Sequence, residues 1–234
     1  MSAGVRLDLV DANHILFDRR VLDAYGHVSA RDPENPECFF LARNMAPALV
    51  EVGDIQLFNL NAETDDSRPS YLERFIHAEL YRARPDVLAV VHSHSAAVLP
   101  FSVVDRPLRA ISHMAGFLAV GAPVFEIRDS VGKASDLLIR NRELGCSLAT
   151  SLGDAAVVLM RGHGSVVVGA SVQQAVHRAV FTELNARTQA EALRLGACTY
   201  LTAEEATAAA ASNDGQIMRA WELWRRQARS RPAL

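Results

Sequence analysis

A short apolar run that stops on two histidines constrains this chain more than any other feature. Residues 87–91 read Val-Leu-Ala-Val-Val, follow Arg84-Pro85-Asp86 and lead into His92-Ser93-His94-Ser95. A β-branched run of this length, entered through a turn-forming Pro-Asp, predicts a buried strand. Alternate residues of a strand point to the same face, so His92 and His94 project side by side from its end. Two imidazoles placed that way are half of a transition-metal site. They are also an ordinary way to close a strand, and His-x-His alone does not decide between the two.

A second run has the same shape. Residues 155–160, Ala-Ala-Val-Val-Leu-Met, end in Arg161-Gly162-His163-Gly164. The glycines let the backbone turn tightly and approach a ligand closely. One histidine in a glycine turn is ordinary structure. A second histidine-tipped strand is harder to dismiss, because a metal requires three or four convergent ligands. Upstream, residues 71–81 have helical spacing, with Leu72, Phe75, Ile76 and Leu80 on an apolar face and Glu73 in the first turn. Three histidines leave a coordination position open, as catalytic metals do, and a carboxylate beside it can move protons. An acidic residue at a helix N-terminus is also favoured by the helix dipole. Spacing alone leaves these two readings of Glu73 level.

Glu73-Arg74-Phe75, Arg84-Pro85-Asp86, Val91-His92-Ser93-His94 and Gly162-His163-Gly164, in that order, resemble the class II aldolase/adducin family over roughly residues 7–200. The resemblance implies an α/β fold: a single α/β/α domain with a mainly antiparallel central sheet flanked by helices. It implies a divalent metal on His92, His94 and His163, with Glu73 as the acid/base. It also implies a homotetramer with sites near subunit interfaces. Residues 26–33 stand where the aldolases have a substrate-binding Gly-Asn-x-Ser loop, which makes His27 and Ser29 substrate-binding candidates. His27 replaces the usual Asn.

Sugar-phosphate aldolases carry small hydroxyl and glycine residues where this chain has Arg43 and Asn44, and two serines where it has Tyr71 and Leu72. Arg suits bidentate binding of a carboxylate, and Asn can bond a ring oxygen or nitrogen. The phosphate contacts are therefore missing. The resemblance points to the hydroxy-aromatic decarboxylases, acting on a pyridine dicarboxylate of the kind met in vitamin B6 degradation. Mn2+ is the implied ion, and histidine ligands also suit Zn2+ and Fe2+. For Glu73 to act as an acid near neutrality, burial would have to raise its pKa. Three alternatives stay open: an aldolase of an unphosphorylated hydroxy-acid or sugar, a non-haem iron oxygenase, and a non-catalytic adducin-like module. The intact set of three histidines and Glu73 argues against the last.

The rest of the chain fits one domain, residues 1–234. Half of the residues are hydrophobic and 22% are charged, ordinary for a globular protein. The net charge of -3 carries no nucleic-acid footprint. No apolar run is long enough for a membrane span, and the first residues lack the apolar core of a signal peptide. Cys38, Cys146 and Cys198, widely separated and odd in number, suit a reducing cytoplasm.

Periodicity predicts helices over 6–25, 134–152, 171–195, 203–211 and 216–228, with Gly26 ending the first and Ser171 capping the third. Residues 96–104 are helix-like. Strands are predicted over 39–42, 55–60, 124–127 and 164–169, and loops over 26–33 and 61–69. His113, Met114 and Phe117 wall an aromatic pocket or belong to the core. His177 reads as structural or interfacial, and Tyr200 is a candidate for a residue donated by a neighbouring subunit.

Overall fold

Seven strands form one sheet: β1 (His27–Arg31), β2 (Cys38–Ala42), β3 (Ile55–Asn59), β4 (Ala89–Ser93), β5 (Val124–Phe125), β6 (Val157–Met160) and β7 (Gly164–Gly169). The computed structural model, which describes residues 2–230, orders them β3-β2-β1-β4-β7-β6-β5. Every neighbouring pair is antiparallel except β5 and β6. Among the described residues, seven α-helices accompany them: α1 (Ser2–Asp18), α2 (Arg74–Ala83), α3 (Arg128–Val131), α4 (Arg142–Leu152), α5 (Val172–Leu195), α6 (Ala203–Asp214) and α7 (Ile217–Arg229). Helices α1, α5 and α7 pack together, with α5 on β4 and β7, while α2 packs on α4 and α4 on β5 and β6. Strands β4, β6 and β7 are buried at every position. That is why they read as apolar runs rather than alternating ones.

Five local expectations need correction. Residues 26–33, expected as a turn and a polar loop, contain β1, a central strand buried at all five positions. Its polar side chains find partners inside the fold. Arg31, for example, donates to the carbonyls of Val87 and Tyr81 and stacks over the Tyr81 ring. The helix expected over 6–25 starts at Ser2 and stops at Asp18, and Arg20 takes a left-handed φ of 59° in the turn that follows. The helix expected over 134–152 begins only at Arg142, where the Asn141 side chain accepts from the Leu144 N–H. Residues 96–104 hold only a 3-10 turn, Leu99–Ser102.

The expected strand at 124–127 shortens to two residues. His113, Met114 and Phe117 lie in a 3-10 helix, His113–Leu118, that packs on α6. Tyr200 stacks under Arg109 and shares a hydrogen bond with Gln189. Among the described residues, no helix is long and apolar enough to cross a membrane.

Candidate metal centre and its cavity

The register of the central strands places the site. His92 sits on β4 opposite His27 of β1 and Val166 of β7. His94 follows the last residue of β4. His163 occupies the turn between β6 and β7, where Gly162 has φ of 66° and the His163 N–H donates to Met160 O at 3.0 Å. Glycine is required beside that turn: a Cβ on Gly164 would fall 2.1 Å from the Ser93 carbonyl oxygen. That close approach holds the two histidine-bearing segments against each other.

The imidazoles converge through Nε2. His92 Nε2 lies 3.2 Å from His94 Nε2, which lies 3.0 Å from His163 Nε2. Glu73, the residue just before α2, completes the group, its Oε2 3.4 Å from Nε2 of both His92 and His163. One ligand atom from each of the four lies within 4.8 Å of all the others.

This donor set fits a divalent cation. An ion with metal–nitrogen bonds of about 2.0–2.1 Å holds tetrahedral ligands roughly 3.3 Å apart. The distal ring nitrogens are committed elsewhere: Nδ1 of His163 is 2.9 Å from Leu137 O, and Nδ1 of His92 is 3.2 Å from Ser165 O. A backbone carbonyl can only accept, so both rings carry the proton on Nδ1 and leave an Nε2 lone pair facing the cluster. The lone pairs of His92 and His163, with His94 Nε2 and the Glu73 carboxylate, surround a space that a cation would fill.

Glu73 is held as a carboxylate. Burial alone pushes its pKa up, but the nearby His92 and His163 outweigh burial and hold it well below the usual carboxylate range. A cation in the cluster acts in the same direction. Glu73 Oε1 also accepts from the Ile139 N–H at 2.9 Å. Burial and the neighbouring imidazoles push His94 down to about 4.

A cavity of about 520 Å3 opens on Glu73 and His94. Residues 24–27, 44–46, 71–72 and Leu138 line the rest of it, with Tyr25 and Leu72 exposed at the rim. Leu72, expected on the apolar face of α2, is 54% exposed. Of the expected substrate contacts, His27 and Asn44 line the cavity. Ser29 is fully buried and bonds His77 and Tyr81 instead. Arg43 does not line it either, and its Nε donates to Asp54 at 2.8 Å. No lysine or arginine lines the cavity among the described residues. The Tyr71 hydroxyl donates to Met45 O, which leaves its ring as a flat wall tilted against His27, centroids 4.6 Å apart.

A family model described as the Class II Aldolase and Adducin N-terminal domain matches residues 7–190. The chain belongs to the class II aldolase and adducin family. Among relatives, it is 38% identical to "Decarboxylase tropJ" of Talaromyces stipitatus, over 92% of this chain and 90% of that protein. It is 34% identical to a "3,4-dihydroxyphthalate decarboxylase" of Arthrobacter keyseri, over 76% of this chain and 74% of that one. The solved L-fuculose 1-phosphate aldolase of Glaciozyma antarctica superposes with a TM-score of 0.79 at 22% identity, covering 97% of this chain and 90% of that chain, and shares the fold.

Within this class II aldolase fold, the sequence reading overlooked residues that support the site. The segment 134–141, read as helix, supplies the Leu137 carbonyl and the Ile139 N–H. Asn141 is the helix-start signal that separates this segment from α4. His77, one helical turn after Glu73, also went unread; that spacing places both on one side of α2.

Proposed function

We propose that this protein is a divalent-metal-dependent, non-oxidative decarboxylase of a hydroxy-aromatic carboxylate. One observation carries the reading: a cavity with no cationic side chain among the described residues, walled by the Tyr71 ring, opens on Glu73 and on His94, one of three convergent imidazoles. Such a cavity suits a flat ring bearing a hydroxyl and a carboxylate better than a sugar phosphate. The decarboxylase names of two relatives support the same reaction.

Decarboxylation leaves the C–C bonding electrons on the ring, releases CO2 and returns a proton to the vacated carbon. A divalent ion held by His92, His94 and His163 supplies electrostatic stabilisation of the enolate-like charge that develops. Glu73 takes the proton of the substrate hydroxyl and delivers it to the ring carbon. Its hydrogen bond from Ile139 keeps Oε1 in place and leaves Oε2 to turn toward the substrate. His27 and Asn44 bind the ring substituents, and Tyr71 and Leu138 exclude water.

Manganese is the proposed ion. The proposed substrates are 3,4-dihydroxyphthalate and 3-hydroxy-2-methylpyridine-4,5-dicarboxylate, the latter an intermediate of vitamin B6 degradation; both pair a ring hydroxyl with adjacent carboxylates. The exposed apolar rim of Tyr25 and Leu72 supports a homotetramer with the cavities near subunit interfaces.

The test is metal-stripped protein reloaded separately with Mn2+, Zn2+ or Fe2+ and given each substrate. CO2 release without oxygen uptake is the expected result. Oxygen consumption with Fe2+ would make the protein an oxygenase. Aldehyde release from an unphosphorylated hydroxy-acid or sugar, without CO2, would make it an aldolase.

A further inference from the structure

Beneath the cavity runs a chain of buried polar groups that the proposed chemistry leaves unused. His27 Nδ1 lies 2.6 Å from His77 Nε2, His77 Nδ1 lies 2.6 Å from Ser29 Oγ, and Ser29 Oγ lies 2.7 Å from the Tyr81 hydroxyl. All four residues are buried, and the chain crosses from β1 to α2 and back. We propose that Tyr81, Ser29 and His77 fix His27 in the tautomer protonated at Nε2, so that His27 presents a hydrogen-bond donor to an oxygen of the substrate in the cavity. The substrate contact rests on the function proposed above; the tautomer does not.

The direction of the chain follows from counting protons. Among the described residues the Tyr81 hydroxyl meets only Ser29 Oγ. Burial pushes the Tyr81 phenol pKa up, so its proton stays on. If Tyr81 accepted from Ser29, its own proton would be buried with no acceptor. If Ser29 accepted from both Tyr81 and His77, the Ser29 proton would be stranded instead. Buried donors in folded proteins are paired, and one arrangement pairs them all. Tyr81 donates to Ser29, Ser29 donates to His77 Nδ1, and His77 donates from Nε2 to His27 Nδ1. The remaining proton of His27 is then on Nε2.

The rings are neutral in this arrangement. Burial pushes His77 down to about 3. The orientation of His27 is fixed as well, its ring lying between those of Tyr71 and His92 at centroid distances of 4.6 and 5.0 Å. The tautomer also explains why His27, so close to His92, stands outside the ligand cluster. A protonated Nε2 has no lone pair to offer a metal. His77, Ser29 and Tyr81 are positioning residues, and His27 is the group that touches substrate.

Neutron diffraction from deuterium-exchanged crystals of the zinc-loaded protein reads the tautomer directly. The expected nuclear density puts deuterium on Nε2 of both His27 and His77 and none on Nδ1 of His27. Deuterium on His27 Nδ1 overturns the proposal, whether or not the protein proves to be a decarboxylase.

Kinetics of CO2 release then test the consequence. His77→Leu removes the donor to His27, and KM is expected to rise roughly tenfold or more, the value of a hydrogen bond to a charged group. His77→Gln keeps an amide N–H at the Nε2 position and is expected to recover most of that loss. Tyr81→Phe is expected to raise KM less than His77→Leu. A purely structural role would lower the melting temperature of all three variants without separating Gln from Leu. Equal KM values for His77→Gln and His77→Leu would therefore overturn the chain's role in binding.

Discussion

His27 and His77 lie next to the cluster of His92, His94 and His163, and the two groups use the same ring in opposite ways. In the cluster, Nδ1 of His92 and of His163 faces a backbone carbonyl, and their Nε2 lone pairs turn toward His94 Nε2 at 3.2 and 3.0 Å. In the pair, Nδ1 of one ring faces Nε2 of the other at 2.6 Å, which is room for one proton and no ion. Proximity of histidines therefore does not define a metal site. The partner of the far nitrogen does, because it decides which lone pair is free.

The largest expected effect separates the two groups outright. His163→Ala should lose the metal, read by elemental analysis of the purified protein. CO2 release should fall at least about 10²-fold, as when a principal charge-stabilising group is removed. His77→Leu should keep a full complement of metal; its loss there would dissolve the distinction. Glu73→Gln comes next. It should bind metal normally and lose about 10²–10⁴-fold in kcat, the usual contribution of a positioned general base. Full activity with metal bound would remove Glu73 from the proton transfer.

His177 offers a third arrangement, a buried ring in α5 with no hydrogen-bond partner for either nitrogen among the described residues, packed against Phe181 and Trp224. Burial lowers its pKa in the folded state. The unfolded chain then binds the extra proton more readily, so stability is retained above about pH 6.5 and falls as the pH drops below it. His177→Leu should raise stability by about 1 kcal/mol, the scale of a buried unsatisfied group, and flatten the fall in melting temperature between pH 7 and pH 5. A steeper fall in the variant would contradict this.

Arg43→Ala should do least. Its partly exposed pair with Asp54 is worth at most about 1 kcal/mol, and KM should not change. A raised KM would mean that Arg43 leaves Asp54 to hold a substrate carboxylate.

The convergence of the three histidines was legible because each rests on a local rule. His92 and His94 follow the two-residue period of a strand that truly is one, and His163 sits in a turn that its glycines announce. Arg43 was not legible: its residue type suggested a carboxylate, and Asp54, eleven residues away, satisfies it first. β1 was hidden because His27, Ser29 and Arg31 look like loop residues until their partners on α2 are known. The same blindness covered residues 134–141. Leu137 and Leu138 suggested a helix, yet Leu137 takes a φ of 69° and turns its carbonyl to His163. For β1 and for residues 134–141 the deciding contacts join residues 26 or more positions apart, beyond a local window of sequence.

The ligand-bearing segments and the cavity walls have different origins. His92 sits on a central strand, and His94 and His163 sit where β4 and β7 are pressed together at Gly164. Most of the wall comes from connecting segments: 24–26, 44–46, 71–72 and 138. Substitutions in the wall would therefore leave the clustered histidines and Glu73 in place. A library confined to Asn44, Met45, Leu72 and Leu138 would explore new aromatic acids on an unaltered reaction centre. In such a fold, the proposed chemistry and the choice of molecule would answer to different sets of substitutions.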